Sequence, residues 1–266
     1  PPPPNLALIV SSANAGSTGA QTFSLTLSGI SSGGERLASE AVELAGRFPN
    51  LTHLSFVGCS MGGLFAREAA RLLFSPSSTP LLPPGVQPHS FITLATPHLG
   101  VYGTSAGPKA RFFSLFAPPP YKGPSELLLS SPALPSLASG GGGALRRFRR
   151  RVAYAPLRDD GTVAYRTAAL SLAAAVPPAA GGTIARAGPP DPREALAWPG
   201  MDPARGKSLV IARMRRDLVE GAPWTVVDVD MRHNQLATLY PTYGGRKPGR
   251  NEESFAVAED VLRRLR

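Results

Sequence analysis

Cysteine is nearly absent: Cys59 is the single one, so no intramolecular disulfide can staple this fold. Acidic residues are also in short supply. Eighteen Asp and Glu stand against 28 Lys and Arg, leaving a formal net charge of +10. Long apolar runs are missing too. Crossing a bilayer takes roughly 18–20 apolar residues, and the nearest approach, Thr167–Ala180, is broken by Pro177 and Pro178. The first residues carry neither a basic segment followed by an apolar core nor a transit-peptide pattern. With the lone cysteine, this favours an intracellular setting. No repeat with a period of roughly 20–50 residues is visible. Zinc-finger spacing and the interleaved aromatics of an RNA-binding sheet are both lacking, which argues against nucleic acid as a partner.

Hydrophobic residues make up 42% of the 266 and charged ones 17%, enough apolar material for one domain over residues 5–266. The 28 Gly and 29 Pro are too many for a compact fold without long loops. They gather at Pro1–Pro4, Pro118–Ala144 and Val176–Ala204. Residues 176–204 read as a Pro/Gly-rich insertion. Residues 104–144 read either as a lid, with Leu127, Leu128, Leu129, Leu134 and Leu137 as its apolar side, or as a low-complexity insertion around Gly140–Gly143. The arginines cluster at 146–151, 213–216, 246–250 and 263–266. Such clusters form an ordinary solvated basic surface or a contact with an anionic membrane.

Short continuous apolar runs separated by helical periodicity give the fold class. Leu6–Val10, Leu51–Gly58, Ser90–Ala95, Val152–Ala155 and Trp224–Val229 read as strands buried on both faces. Ser31–Phe48, Leu64–Phe74 and Glu252–Leu265 read as helices. Strands alternating with helices predict an α/β fold, a mostly parallel sheet with helices on both faces.

The chemistry centres on Gly58-Cys59-Ser60-Met61-Gly62, placed between a predicted strand and a predicted helix, with a third glycine at Gly63. A serine on so sharp a turn stands clear of the sheet, and crowding by the crossing chain explains glycine two residues before and two after it. The Met61 amide, at the start of the helix, points towards a developing oxyanion. A tight strand–helix turn with an inert serine would carry the same residues.

A nucleophilic serine needs a base, and the base needs an orienting carboxylate. Of four histidines, His53 and His89 precede or enter strands, and His98 follows the strand next after the turn, too early for a base. His233 follows the Trp224–Val229 strand and is the expected base. The acid is expected after the strand before that one, where Asp160 in Asp160-Gly161-Thr162-Val163 fits best. Asp159 is the fallback, and Asp191, Asp202 and Asp228 are further candidates.

The run Leu54–Arg67 resembles the nucleophile elbow of the putative serine esterase family (domain of unknown function 676), a branch of lipase-like α/β-hydrolases. Ser12-Ala13-Asn14, Gly29-Ile30 and Gly34–Ala38 are similar to its segment before the elbow, and Phe91–Gly100 to its strand after it. Phe148–Ala155 with Asp160–Val163 and Tyr165–Thr167 resembles its acid-bearing region. The resemblance implies hydrolysis of a carboxylic ester, foremost a lipid acyl ester, by Ser60, Asp160 and His233, with no metal or organic cofactor. Cys59 stands where the family usually has histidine, which implies altered packing beside the site. The family's His-Gly oxyanion loop is missing, and about 50 residues separate Leu6–Val10 from Ser60. Leu6–Val10 is therefore expected to be the strand before the elbow's own, with earlier strands and a second oxyanion donor upstream of Pro1. The rivals are a non-catalytic hydrolase-like domain that binds anionic lipid or partners, and an acyltransferase using the same three residues.

Overall fold

Four of the five apolar runs become strands. The computed structural model describes residues 5–76, 81–102, 122–158, 163–173, 175–178, 182–193, 197, 202, 206–232, 235–236 and 252–266. Strand β1 is His53–Cys59, β2 Gln87–Leu94, β3 Arg150–Arg158, β4 Ile184–Gly188 and β5 Thr225–Arg232. They form one sheet in the order β1-β2-β3-β5-β4. The first four strands in that order are parallel, and β4 lies antiparallel on β5. The α/β class follows from this sheet and the helices around it.

The helices are α1 Gly19–Leu27, α2 Ile30–Gly46, α3 Met61–Phe74, α4 Gly123–Leu127, α5 Ala133–Arg146, α6 Tyr165–Ala168, α7 Gly206–Val219 and α8 Glu252–Leu265. On one face of the sheet, Ala41 of α2, Leu64 and Phe65 of α3, Leu134 of α5 and Ile211 of α7 meet Phe56, Phe91 and Ala153. Phe148 ties this side together, with ring contacts to Phe74, Phe91 and Phe56 at 5.4, 5.5 and 6.3 Å. On the other face, Val257, Val261 and Leu265 of α8 cover Ile92, Leu94, Val152, Val227 and Val229. The Asp260 carboxylate anchors α8 to β3 by accepting from Tyr154 Oη at 2.6 Å, and within the helix it accepts from Arg264 Nε at 2.7 Å. Among the described residues no helix is long and apolar enough to cross a membrane.

Leu6–Val10 departs from expectation, because it forms no strand. Leu8, Ile9 and Val10 are about half exposed, so the run lacks the two covering layers that a buried strand needs. The chain instead runs to α2, where the amide of Ser12 donates to Glu40 Oε1 at 2.8 Å. The described part of the 104–144 insertion, from residue 122, is not a loose Gly-rich segment. It forms α4 and α5, with Gly140–Gly143 inside α5, and Leu129, Leu134 and Leu137 are core residues. The expected Pro/Gly-rich insertion at 176–204 contributes β4.

The arginine run 146–151 has a structural use. A helix that follows a parallel strand ends near the strands' N-terminal edge, where its last carbonyls lack partners within the helix. Arg147 Nη1 donates to Phe74 O at the end of α3, at 3.0 Å. Arg151 donates to the Leu145 carbonyl in the last turn of α5, to the Phe148 carbonyl just past it and to Pro223 O. Arg146 Nη2 donates to Glu220 O just past α7 at 3.0 Å, and Arg150 Nη1 to Arg264 O of α8 at 2.8 Å. Four helix ends are thus held by one basic run, at the edge away from Ser60.

Candidate active site

Ser60 sits between the last residue of β1 and the first of α3, with φ 51° and ψ −127°. A side chain at positive φ is crowded by its own backbone, and such residues persist only where their surroundings hold them. Two hydrogen bonds do so here. The Ser60 amide donates to Leu94 O at 2.9 Å, extending the β1–β2 ladder by one step. The Ser60 carbonyl accepts from the Gly63 amide at 3.1 Å and starts the helix.

The glycines divide differently from expectation. A Cβ on Gly58 would lie 2.5 Å from Gly63 Cα and 2.7 Å from Gly62 O, backbone against backbone. A Cβ on Gly63 would meet Thr96 Oγ1 at 2.0 Å. At Gly62 it would meet nothing within 4 Å. Crowding therefore explains Gly58 and Gly63, while Gly62 lies on the open side of the turn. The expectation failed because a spacing in sequence does not say which side of a helix's first turn faces the sheet. Gly58→Ala is expected to cost at least about 3 kcal/mol by overpacking. Gly62→Ala, in the first turn of α3, should be neutral or stabilising by up to ~1 kcal/mol. Urea unfolding of the two variants measures the contrast.

Met61 opens α3, and first-turn amides have no acceptor within the helix. Cys59 packs against the apolar cluster under α8, and burial pushes its thiol up to about 12. It should therefore react with a disulfide reagent at pH 8 at least ~10²-fold more slowly than a free thiol. Native-state thiol titration checks this; rapid reaction would place the sulfur in the open.

Asp159, Asp160 and His233 lie outside the described residues. The strands that lead to them are described. Arg158 and Arg232, the last residues of β3 and β5, are register partners. The same strand ends are bridged by Arg158 and Asp230, with Nε–Oδ1 at 2.6 Å and Nη2–Oδ2 at 2.9 Å. Val163, just past the expected acid, is buried and leads into the buried α6.

Other candidates are committed elsewhere. Asp228 is fully buried in β5, accepting from Tyr165 Oη at 2.8 Å and Arg186 Nε at 2.9 Å. Asp191 takes the side chain of Arg193. His53 and His89 face each other at 5.4 Å where β1 and β2 begin. His98 is fully buried, with Nε2 2.9 Å from Thr93 Oγ1 and its ring edge-on to Trp224 at 5.3 Å. Burial and the nearby Arg67 hold its imidazole well below the ordinary range. The Arg158–Asp230 bridge and the Arg67–His98 contact are not visible in any motif. The only hint of the latter is that Arg67 falls among the apolar positions Leu64, Ala66, Ala70 and Phe74 of the Leu64–Phe74 helix. Among the described residues no three His, Cys, Asp or Glu side chains gather as a metal site.

No curated protein and no solved structure matches the chain. Residues 12–115, which hold the elbow, α3 and β2, match the family model described as "Putative serine esterase (DUF676)". The match is confined to the elbow-bearing part of the chain, and it supports a hydrolase role.

Proposed function

We propose that the protein hydrolyses carboxylic esters, foremost lipid acyl esters, through Ser60, His233 and Asp160 and an acyl-enzyme. The observation that carries this is the strained Ser60 turn at the C-terminal end of β1, on a sheet whose parallel neighbours β3 and β5 end in register. Chain order supplies Asp160 two residues past β3 and His233 immediately past β5. Three loops would thus converge on one edge.

His233 takes the proton of Ser60 Oγ as that oxygen bonds to the ester carbonyl carbon. The carbonyl oxygen becomes an oxyanion facing the Met61 amide at the positive end of α3. Collapse expels the alcohol, which leaves with the proton from His233. Water then repeats the cycle on the acyl-enzyme and frees the acid. Asp160 keeps the imidazole in the required tautomer and stabilises its cationic form.

An acyl-enzyme predicts burst kinetics. Mixed with excess p-nitrophenyl acetate, the chain should release close to one nitrophenol per active site before settling to its steady rate. Slow linear release matching a Ser60→Ala control would refute the proposal. Steady turnover retained in that control would do the same.

A further inference from the structure

A fully buried guanidinium has to account for its charge. Arg67 lies on α3, seven residues past Ser60, and none of its surface reaches solvent. Its Nη1 donates to the His98 carbonyl at 3.1 Å, while Nε and Nη2 have no partner. Other deeply buried arginines are better served. Arg151 donates to the carbonyls of Leu145, Phe148 and Pro223, and Arg215 to those of Leu170 and Asp191. The unpartnered edge of Arg67 is the one with which Arg71 and Arg158 grip carboxylates elsewhere in this chain, at 2.6–2.9 Å. Its sequence neighbour Glu68 has both oxygens on Arg71. Beside Arg67 stands His98, also without exposed surface, whose Nδ1 likewise has no partner.

We propose that Arg67 Nε and Nη2 form an interior site, beside His98, for a single halide-class inorganic anion. Burial pulls the Arg67 guanidinium down to about 9, which leaves it charged at neutral pH. The Glu68 charge acts on it, but both Glu68 oxygens bond Arg71, and a buried cation without a bonded counter-charge is costly. A neutral water would satisfy the donors and leave the charge uncancelled, whereas a halide does both. His98 borders the site through a ring held at Nε2, 2.9 Å from Thr93 Oγ1, whose hydroxyl also reaches Val152 O at 3.4 Å. Full enclosure disfavours a bulky organic acid and suits a monatomic ion. The site would join the helix that starts at Ser60 to the loop after β2, whose Leu99 amide donates to Thr167 Oγ1 at 2.9 Å. The inference does not depend on ester hydrolysis.

The test is a crystal structure of the chain grown in sodium bromide, read by bromine anomalous scattering, with thermal unfolding beside it. An anomalous peak within hydrogen-bonding distance of Arg67 Nε and Nη2 supports the site; water density there, or none, overturns it. Exchanging chloride for gluconate at equal ionic strength should lower the Tm by roughly 5–10 °C if chloride saturates the site. Arg67→Met, which removes both the charge and its donors, should show no such anion dependence. An identical anion response in the variant, or none in the parent chain, counts against the proposal. If the variant does not fold, the bromide peak decides alone.

Discussion

Ser60→Ala is expected to abolish ester hydrolysis, lowering kcat by roughly 10⁶, while Tm changes by no more than ~2 °C. The fold is indifferent to the hydroxyl for a specific reason. Both hydrogen bonds that hold the turn, to Leu94 O and from the Gly63 amide, are made by the backbone of residue 60. Alanine keeps the Cβ and therefore keeps the crowding at φ 51°. Glycine would remove it. Strain of this kind costs on the order of 1–3 kcal/mol, so Ser60→Gly should melt roughly 2–4 °C above the parent and be equally inactive. Stability gained as activity is lost is the signature of a turn kept strained for its side chain. Circular dichroism melts and p-nitrophenyl ester turnover measure both halves.

The second large effect lies in the two residues that the structure leaves undescribed. His233→Ala should lower kcat by at least ~10⁴, and Asp160→Asn by up to ~10⁴ while leaving the fold intact. The case is strengthened by what the other candidates are doing. His53 and His89 sit where β1 and β2 begin, and His98 is locked in the interior against Thr93 and Trp224. Asp228 and Asp191 are held by Tyr165, Arg186 and Arg193, and Asp230 by Arg158. Asp228→Asn therefore serves as the contrast. It should weaken the fold by disturbing a buried network and leave kcat of the folded fraction within tenfold. The reverse pattern, Asp160→Asn active and Asp228→Asn dead but folded, would move the acid to β5.

The sheet was legible because its central strands are buried on both faces and write that burial as unbroken apolar runs. Phe91, Ile92, Val152 and Val227 are examples. The same signal misled at Leu6–Val10, since an apolar run records hydrophobicity and says nothing of whether two layers are present to cover it. The elbow was legible because its backbone geometry needs glycine, although which glycine is crowded depends on where Thr96 stands. Strand β4 was missed because it is short, partly exposed and embedded in Pro- and Gly-rich sequence. The 146–151 arginines read as a solvated or membrane-facing surface, whereas most of them cap helices. Composition cannot tell a cation facing solvent from one facing the carbonyl end of a helix.

Fluorophosphonate labelling followed by peptide mass spectrometry tests the central claim most directly. The account predicts one adduct per chain, on the Ser60 hydroxyl, blocked by prior acylation and lost in His233→Ala. A folded chain that stays unlabelled, or carries the adduct on another residue, would contradict it.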